Sequence, residues 1–212
     1  MSKGKLQKFA EFDAFENTLD YNTDTKGNWH AIFGNGNPIV LELACGKGDY
    51  TIGLARRNPH INYVGIDIKG NRLWRGAKTA TDEGLSNVRF LRIQIDFIEK
   101  HFAENEVSHI WITFPDPQPA KARKRLASSR FLAHYRTICK SDAQIHLKTD
   151  SDLFYESTLE TIQEEGLTLL ENIQNVYTQP CAAELKEIQT FYENMWLKEG
   201  RTIKFLRFGL NP

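Results

Sequence analysis

Cysteine is scarce in this chain. There are three in 212 residues, Cys45, Cys139 and Cys181, odd in number and far apart. They match neither a disulfide framework nor a zinc-binding spacing, and a reducing cytoplasm is the expected setting. Long apolar runs are also missing. No stretch approaches the roughly 20 residues that cross a bilayer, so no membrane partner is expected. Residues 1–15 mix Lys, Glu and Asp with scattered Phe and hold no apolar block, so no secretory signal is expected there. The six histidines show no metal-ligand spacing, and no metal is expected. Neither an internal repeat nor a low-complexity tract is present. Net charge is zero, 27 Lys+Arg against 27 Asp+Glu, which taken alone argues against a nonspecific polyanion binder.

What is present reads as an ordinary globular chain, 41% apolar and 25% charged. The length fits one domain with additions. Residues 16–38 are rich in Asn, Asp, Gly and Thr and read as loop. The expected organisation is therefore an N-terminal arm and loop over 1–37, then one domain over 38–212. From residue 38 the texture changes. Short apolar runs at 39–43, 63–67, 88–95, 109–114 and 143–147 read as strands. Helical spacing lies between them at 50–57, 72–83, 97–102, 129–139 and 152–165. Two more strands, 167–176 and 202–208, flank a helix expected over 183–198. Such alternation predicts an α/β protein with a parallel sheet covered on both faces.

The zero net charge hides a division. Between 117 and 140 the chain carries Lys121, Arg123, Lys124, Arg125, Arg130, Arg136 and Lys140 and no acid. Between 149 and 185 it carries eight acids and no Lys or Arg. A neutral protein divided in this way can present a basic face to a polyanion. Solvated helix faces that partly neutralise each other would leave the same trace. A second strip, Lys69, Arg72, Arg75 and Lys78, reads equally as more basic surface or as an ordinary amphipathic helix.

The first apolar run ends in Glu42-Leu43-Ala44-Cys45-Gly46-Lys47-Gly48. In an open parallel sheet, ligands sit beyond the carboxyl ends of the strands. Small residues at Gly46 and Gly48 let the backbone approach a ligand. Glu42 would repel a pyrophosphate but attract an ammonium. Asp67, ending the next strand, is placed to take both hydroxyls of a ribose. Together they point to a nucleoside cofactor carrying an amino acid, the chemistry of S-adenosylmethionine. Glu42 paired with a nearby lysine, or Asp67 as a helix N-cap, would look the same in sequence. Asp96, after the third strand, is placed either to accept from an adenine amino group or to cap the following helix.

The run at 109–114 leads into Pro115-Asp116-Pro117. Each proline locks its own φ and restricts its predecessor, so Asp116 is held stiffly at the carboxyl edge of the sheet. A stiff acid next to a basic run suits a nucleobase on a nucleic-acid backbone. An ordinary turn before a solvated helix is the plainer reading.

At this point the chain resembles the bacterial tRNA guanine-N7 methyltransferase family, S-adenosylmethionine-dependent enzymes with a Rossmann-like, seven-stranded, mostly parallel sheet. The resemblance rests on residues 41–48, Gly65-Ile66-Asp67, residues 83–88, Phe114-Pro115-Asp116-Pro117, Lys148-Thr149-Asp150 and Thr190-Phe191-Tyr192-Glu193. The turn at 114–117 and the late tetrad are its most specific parts. It implies that Glu42, Asp67, Asp96 and Asp116 face the cofactor and that Asp116 is catalytic. It implies that Asp150 and Thr190, Phe191, Tyr192 and Glu193 bind substrate. Three positions depart from the family pattern: Ala44 for the first glycine, Gln118 for a tryptophan after the acid, and Ala120 for a substrate lysine. Lys121 is expected to serve in place of the last.

N7 of guanine carries a lone pair and needs no deprotonation, so the expected catalysis is alignment plus stabilisation of the cationic product base. Asp116 is expected to hold the guanine N–H edge, with Asp150 and Glu193 as further acceptors. Arg123, Lys124, Arg125 and Arg130 are expected to contact tRNA phosphates, which position rather than specify. The family implies the variable-loop guanine, position 46, and a monomer or a homodimer. Two other readings stay open at this stage: a small-molecule methyltransferase, and a non-catalytic RNA-binding protein on the same fold.

Overall fold

The run Ile39–Leu43 is buried at every position, as a strand covered on both sides requires. The same holds for Asn62–Asp67. A computed structural model describes residues 3–211, which divide into two compact units with the boundary between Ala103 and Glu104.

In chain order the first unit contains α1 (Lys3–Ala14), β1 (Thr18–Asp20), α2 (Trp29–Phe33), β2 (Ile39–Leu43), α3 (Asp49–Arg57), β3 (Asn62–Asp67), α4 (Gly70–Asp82) and β4 (Val88–Arg92), followed by 3-10 turns over Ile95–Lys100. Its strands run in the order β1-β4-β3-β2, all parallel. In α4, Leu73, Gly76, Ala77 and Ala80 form the buried stripe. Lys78 on its outer side pairs with Asp82 one turn on, at 2.8 Å.

The segment expected to be loop is not all loop. Thr18, Leu19 and Asp20 form β1 by pairing with Phe90, Leu91 and Arg92. Trp29 of α2 is fully buried, stacked 4.9 Å from Phe102, and donates its indole N–H to His101 O. Three residues show no legible alternation alone; β1 is a strand because β4 offers an open edge. It brings the described strands to eight, against the seven implied by resemblance. Strand β4 also stops at Arg92, three residues early, because the chain turns into the 3-10 segment.

The second unit contains β5 (Val107–Thr113), α5 (Ser129–Ile138), β6 (Cys139–Thr149), α6 (Asp152–Glu164), β7 (Leu169–Ile173), α7 (Glu184–Glu187), α8 (Phe191–Lys198) and β8 (Lys204–Gly209). Strand β6 lies parallel to β5 and antiparallel to β8, and β7 is antiparallel to β8. The single helix expected over 183–198 is two. Thr190 accepts at Oγ from the Glu193 N–H (3.1 Å), and the Thr190 N–H reaches back to the Glu193 carboxylate (3.4 Å). This capping box starts a new helix and leaves Ile188 extended.

Candidate active site

Each unit carries one group of the residues singled out from the sequence. In the first, the turn after β2 holds Ala44, Gly46 and Gly48 in the left-handed region, at φ 56°, 59° and 73°. Asp67 pins this turn from the neighbouring strand. Its Oδ2 accepts from the Gly46 N–H (3.0 Å) and its Oδ1 from the Lys69 N–H (2.8 Å), at the start of α4. Glu42 is buried, and its Oε2 accepts from the N–H of Thr51 (2.7 Å) and from the Thr51 hydroxyl, in the first turn of α3. Both acids therefore brace the turn. Gly48 is needed twice over: its φ is positive, and a Cβ there would lie 2.5 Å from Phe90 Cε1. Cys45 is buried in the same turn, and its burial, followed by the charges of Glu42 and Asp67, pushes the thiol pKa well up. It is an inert filler.

Beyond β3 and β4 opens a cavity of about 450 Å³ lined by Tyr21, Ile68, Arg92, Ile93, Phe97 and Lys100, among others. Ile68 and Phe97 follow Asp67 and Asp96 directly, and they are 54% and 48% exposed. Ile68, just past β3, and Phe97, in the 3-10 segment, thus leave apolar surface open to this cavity. Asp96 itself is exposed on the 3-10 segment. Tyr21, Ile68 and Phe97 are not among the residues singled out from the sequence; the signal they share is an apolar or aromatic residue directly after an acid, Asp20, Asp67 and Asp96.

In the second unit the turn after β5 is stiffened by more than its prolines. Phe114 (φ 48°) and Gln118 (φ 46°) are both left-handed. The Phe114 N–H donates to Lys148 O at 2.8 Å, and Arg125 Nε donates to Pro117 O at 3.1 Å. Asp116 stands exposed at the tip, its Oδ1 accepting from the Gln118 N–H (3.0 Å). Asp150, just past β6, is held at 2.8 Å by Arg201, whose guanidinium lies 3.8 Å from the centre of the Trp196 ring.

Thr190 is buried as the N-cap of α8, Phe191 is exposed, and the Tyr192 ring meets it edge-on at 5.5 Å. Glu193 has no exposed surface. Its carboxylate is held by Lys148 Nζ at 2.7 Å and by the Tyr177 hydroxyl at 2.8 Å. Burial lowers the Lys148 pKa, opposed by the adjacent Glu193; burial and then Glu193 raise that of Tyr177. The expectation that Glu193 takes a hydrogen bond from the base needs correction, because a fully covered carboxylate cannot reach one.

Lys121, Arg123 and Lys124 are exposed, whereas Arg125 and Arg130 are half-buried. Arg123, Arg125 and Arg130 border a groove of about 750 Å³ whose lining also includes Glu160 and Glu164 of α6. The basic and acidic runs of the sequence thus meet in one place and partly offset each other.

The mostly parallel sheet with its connecting helices is the class I methyltransferase fold. A solved 16S rRNA methyltransferase, KamB, shares it with a TM-score of 0.67 at 16% identity, over 88% of this chain and 94% of that one. Residues 36–206 match the family described as "Putative methyltransferase". A protein of Christiangramia forsetii named tRNA (guanine-N(7)-)-methyltransferase is 48% identical over 99% of both chains. A Porphyromonas gingivalis protein of the same name is 49% identical, covering 87% of this chain and 77% of that one. The chain belongs to the tRNA (guanine-N7)-methyltransferase family.

Proposed function

We propose that this protein transfers a methyl group from S-adenosylmethionine to N7 of a guanine in tRNA, giving 7-methylguanosine. Family membership supports the reaction, and one observation carries the assignment of residues: Asp116 is exposed at the tip of a turn fixed from both sides.

The first unit fits the cofactor. Ile68 and Phe97 offer apolar surface to an adenine, Asp67 and Asp96 lie beside them in sequence, and the turn at Gly46 and Gly48 is held in place by its own N–H groups, which donate to Asp67 and to Cys45 O. Glu42 supplies negative charge under that turn, favouring the amino-acid end. When bound, the cofactor supplies an electrophilic methyl on a positively charged sulfur.

The protein's own residues orient and stabilise. Asp116 accepts from the guanine N–H edge and counters positive charge that develops only as N7 becomes methylated, so it favours the transition state over the ground state. Asp150, steadied by Arg201, is a second acceptor. Thr190, Phe191 and Tyr192 bound the base or its ribose, with exposed Phe191 offering a stacking face. Lys121, Arg123, Lys124 and Arg130 take phosphates, offsetting the few kcal/mol needed to unstack a base. Among the described residues no helix is long and apolar enough to cross a membrane. We assign the protein to the cytoplasm, where its substrate is made.

The deciding experiment is nucleoside analysis of unmodified tRNA after incubation with enzyme and S-adenosylmethionine, with mapping of the modified position. 7-Methylguanosine at a single guanine is expected. Cofactor binding without any 7-methylguanosine would overturn the reading.

A further inference from the structure

Lys148 is an odd residue to find fully enclosed. It sits near the end of β6, and neither its side chain nor that of Glu193 has exposed surface. Burying a charged pair costs desolvation, and an apolar pair of similar volume is often as stable or more so. Stability alone therefore gives little reason for this pair, and its connections supply another. The ammonium binds Glu193 at 2.7 Å and Ile188 O at 3.3 Å, so it holds the start of α8 and the segment before it. Tyr177 and Gln189 continue the chain of bonds, at 2.8 and 3.0 Å. The carbonyl of Lys148 accepts from the Phe114 N–H, and its Nζ lies 5.8 Å from the centre of the Phe114 ring. Phe114 is the strained residue from which the Asp116 turn departs. Asp150 follows two residues later on the same strand end.

We propose that Lys148 is a positioning residue for methyl transfer: one buried side chain, with Glu193 and Tyr177, sets the Asp116 turn, Asp150 and the Thr190–Tyr192 segment in register. None of the three touches the base. The inference rests on the function proposed above, since it assigns those segments to the substrate. A hydrogen-bonded ion pair fixes direction as well as distance, whereas an apolar pair fixes packing only. Alignment is what this reaction needs, and a displacement of about 1 Å can cost 10²-fold in rate.

The test is the double variant Lys148→Met with Glu193→Leu, which keeps volume and leaves no unpaired charge, alongside Tyr177→Phe. Thermal melting, S-adenosylmethionine affinity by calorimetry, and kcat and KM on tRNA are measured for each. The double variant should melt near the wild type and bind cofactor as the wild type does, with kcat at least tenfold lower and KM changed much less. Tyr177→Phe should lower kcat several-fold with the same pattern. A double variant that folds and turns over within twofold of the wild type overturns the proposal. If it does not fold, Tyr177→Phe decides, and an unchanged kcat there overturns it. Wild-type protein that binds cofactor but methylates no tRNA sinks the functional reading instead, so the two failures are distinct.

Discussion

The ring of Phe90 fills the space that a side chain on Gly76 would need: a Cβ at Gly76 would lie 2.5 Å from Phe90 Cζ and 2.8 Å from Lys47 O. Gly48 and Gly65 face the same ring, at 2.5 and 2.8 Å. One aromatic side chain of β4 thus holds α4, β3 and the glycine turn together. Alanine at a helical glycine should gain about 1 kcal/mol from propensity. Here overpacking, about 1–3 kcal/mol, should win because one clashing atom is backbone. Gly76→Ala is expected to lower the melting temperature and weaken cofactor binding, which melting curves with and without S-adenosylmethionine will read.

Ala44 occupies a left-handed conformation that costs a non-glycine residue about 1–2 kcal/mol. Glycine there loses roughly 0.4–1 kcal/mol through a freer unfolded chain. The balance favours Ala44→Gly, with a gain of up to about 1.6 kcal/mol seen as a higher urea midpoint. A lower midpoint would mean that the Ala44 methyl makes contacts worth more than the strain.

Asp116 is exposed and should tolerate replacement without loss of fold. Asp116→Asn keeps an acceptor and removes the charge; Asp116→Ala removes both. Turnover should fall by about 10²-fold or more for alanine, in line with loss of one electrostatic stabiliser. Asparagine should fall between alanine and wild type. Calorimetry should show cofactor still bound in both. Near-normal turnover in the alanine variant would end the assignment.

Arg125 and Lys124 are neighbours in sequence with different expected effects. Arg125 donates to Pro117 O and so mounts the turn, whereas Lys124 is exposed. Lys124→Ala should weaken tRNA binding and reduce its salt dependence by about one phosphate contact, leaving kcat alone. Arg125→Ala should lower kcat. Titrations of tRNA binding at several salt concentrations, with single-turnover rates, separate the two.

His146 stacks on Trp111 at 4.3 Å, and burial, followed by His109 and Arg207, pushes its pKa from 6.5 down to about 3. The neutral ring is favoured in the folded state, so this stability is complete above pH 6.5. It is lost as pH falls from 6.5 toward 3, where the unfolded chain binds the extra proton. The urea midpoint should drop between pH 7.5 and 5, and His146→Phe should flatten that drop. A variant that loses as much as the wild type would place the acid sensitivity elsewhere, with half-buried His109 or buried His101, whose pKa values desolvation also lowers.

Much of the local geometry of the candidate site is legible in the chain because its parts are local. The glycine turn, the strand-end acids and the Pro115-Asp116-Pro117 turn each lie within a few residues, and their chemistry follows from neighbours along the backbone. Thr190-x-x-Glu193 is also a local capping signature, and it marks the break between α7 and α8 that the apolar spacing over 183–198 does not show. Lys148 read as the polar end of an apolar run. Nothing near it in sequence shows that β6 continues through Thr149 with the lysine enclosed, because its partner lies 45 residues away.

Taken by itself, the amino-acid order determined the alternation of strands and helices and the turn chemistry, including the two prolines that flank Asp116, all set by φ preferences and hydrophobic period over short spans. Tertiary structure alone decided which charges are covered and which are open. It made Glu193 a buried brace and Asp116 an exposed group, turned Thr18–Asp20 into a strand, and brought Glu160 and Glu164 alongside the arginines. The physical reason is that desolvation and pairing depend on what lies across the fold, a distance that no local pattern encodes.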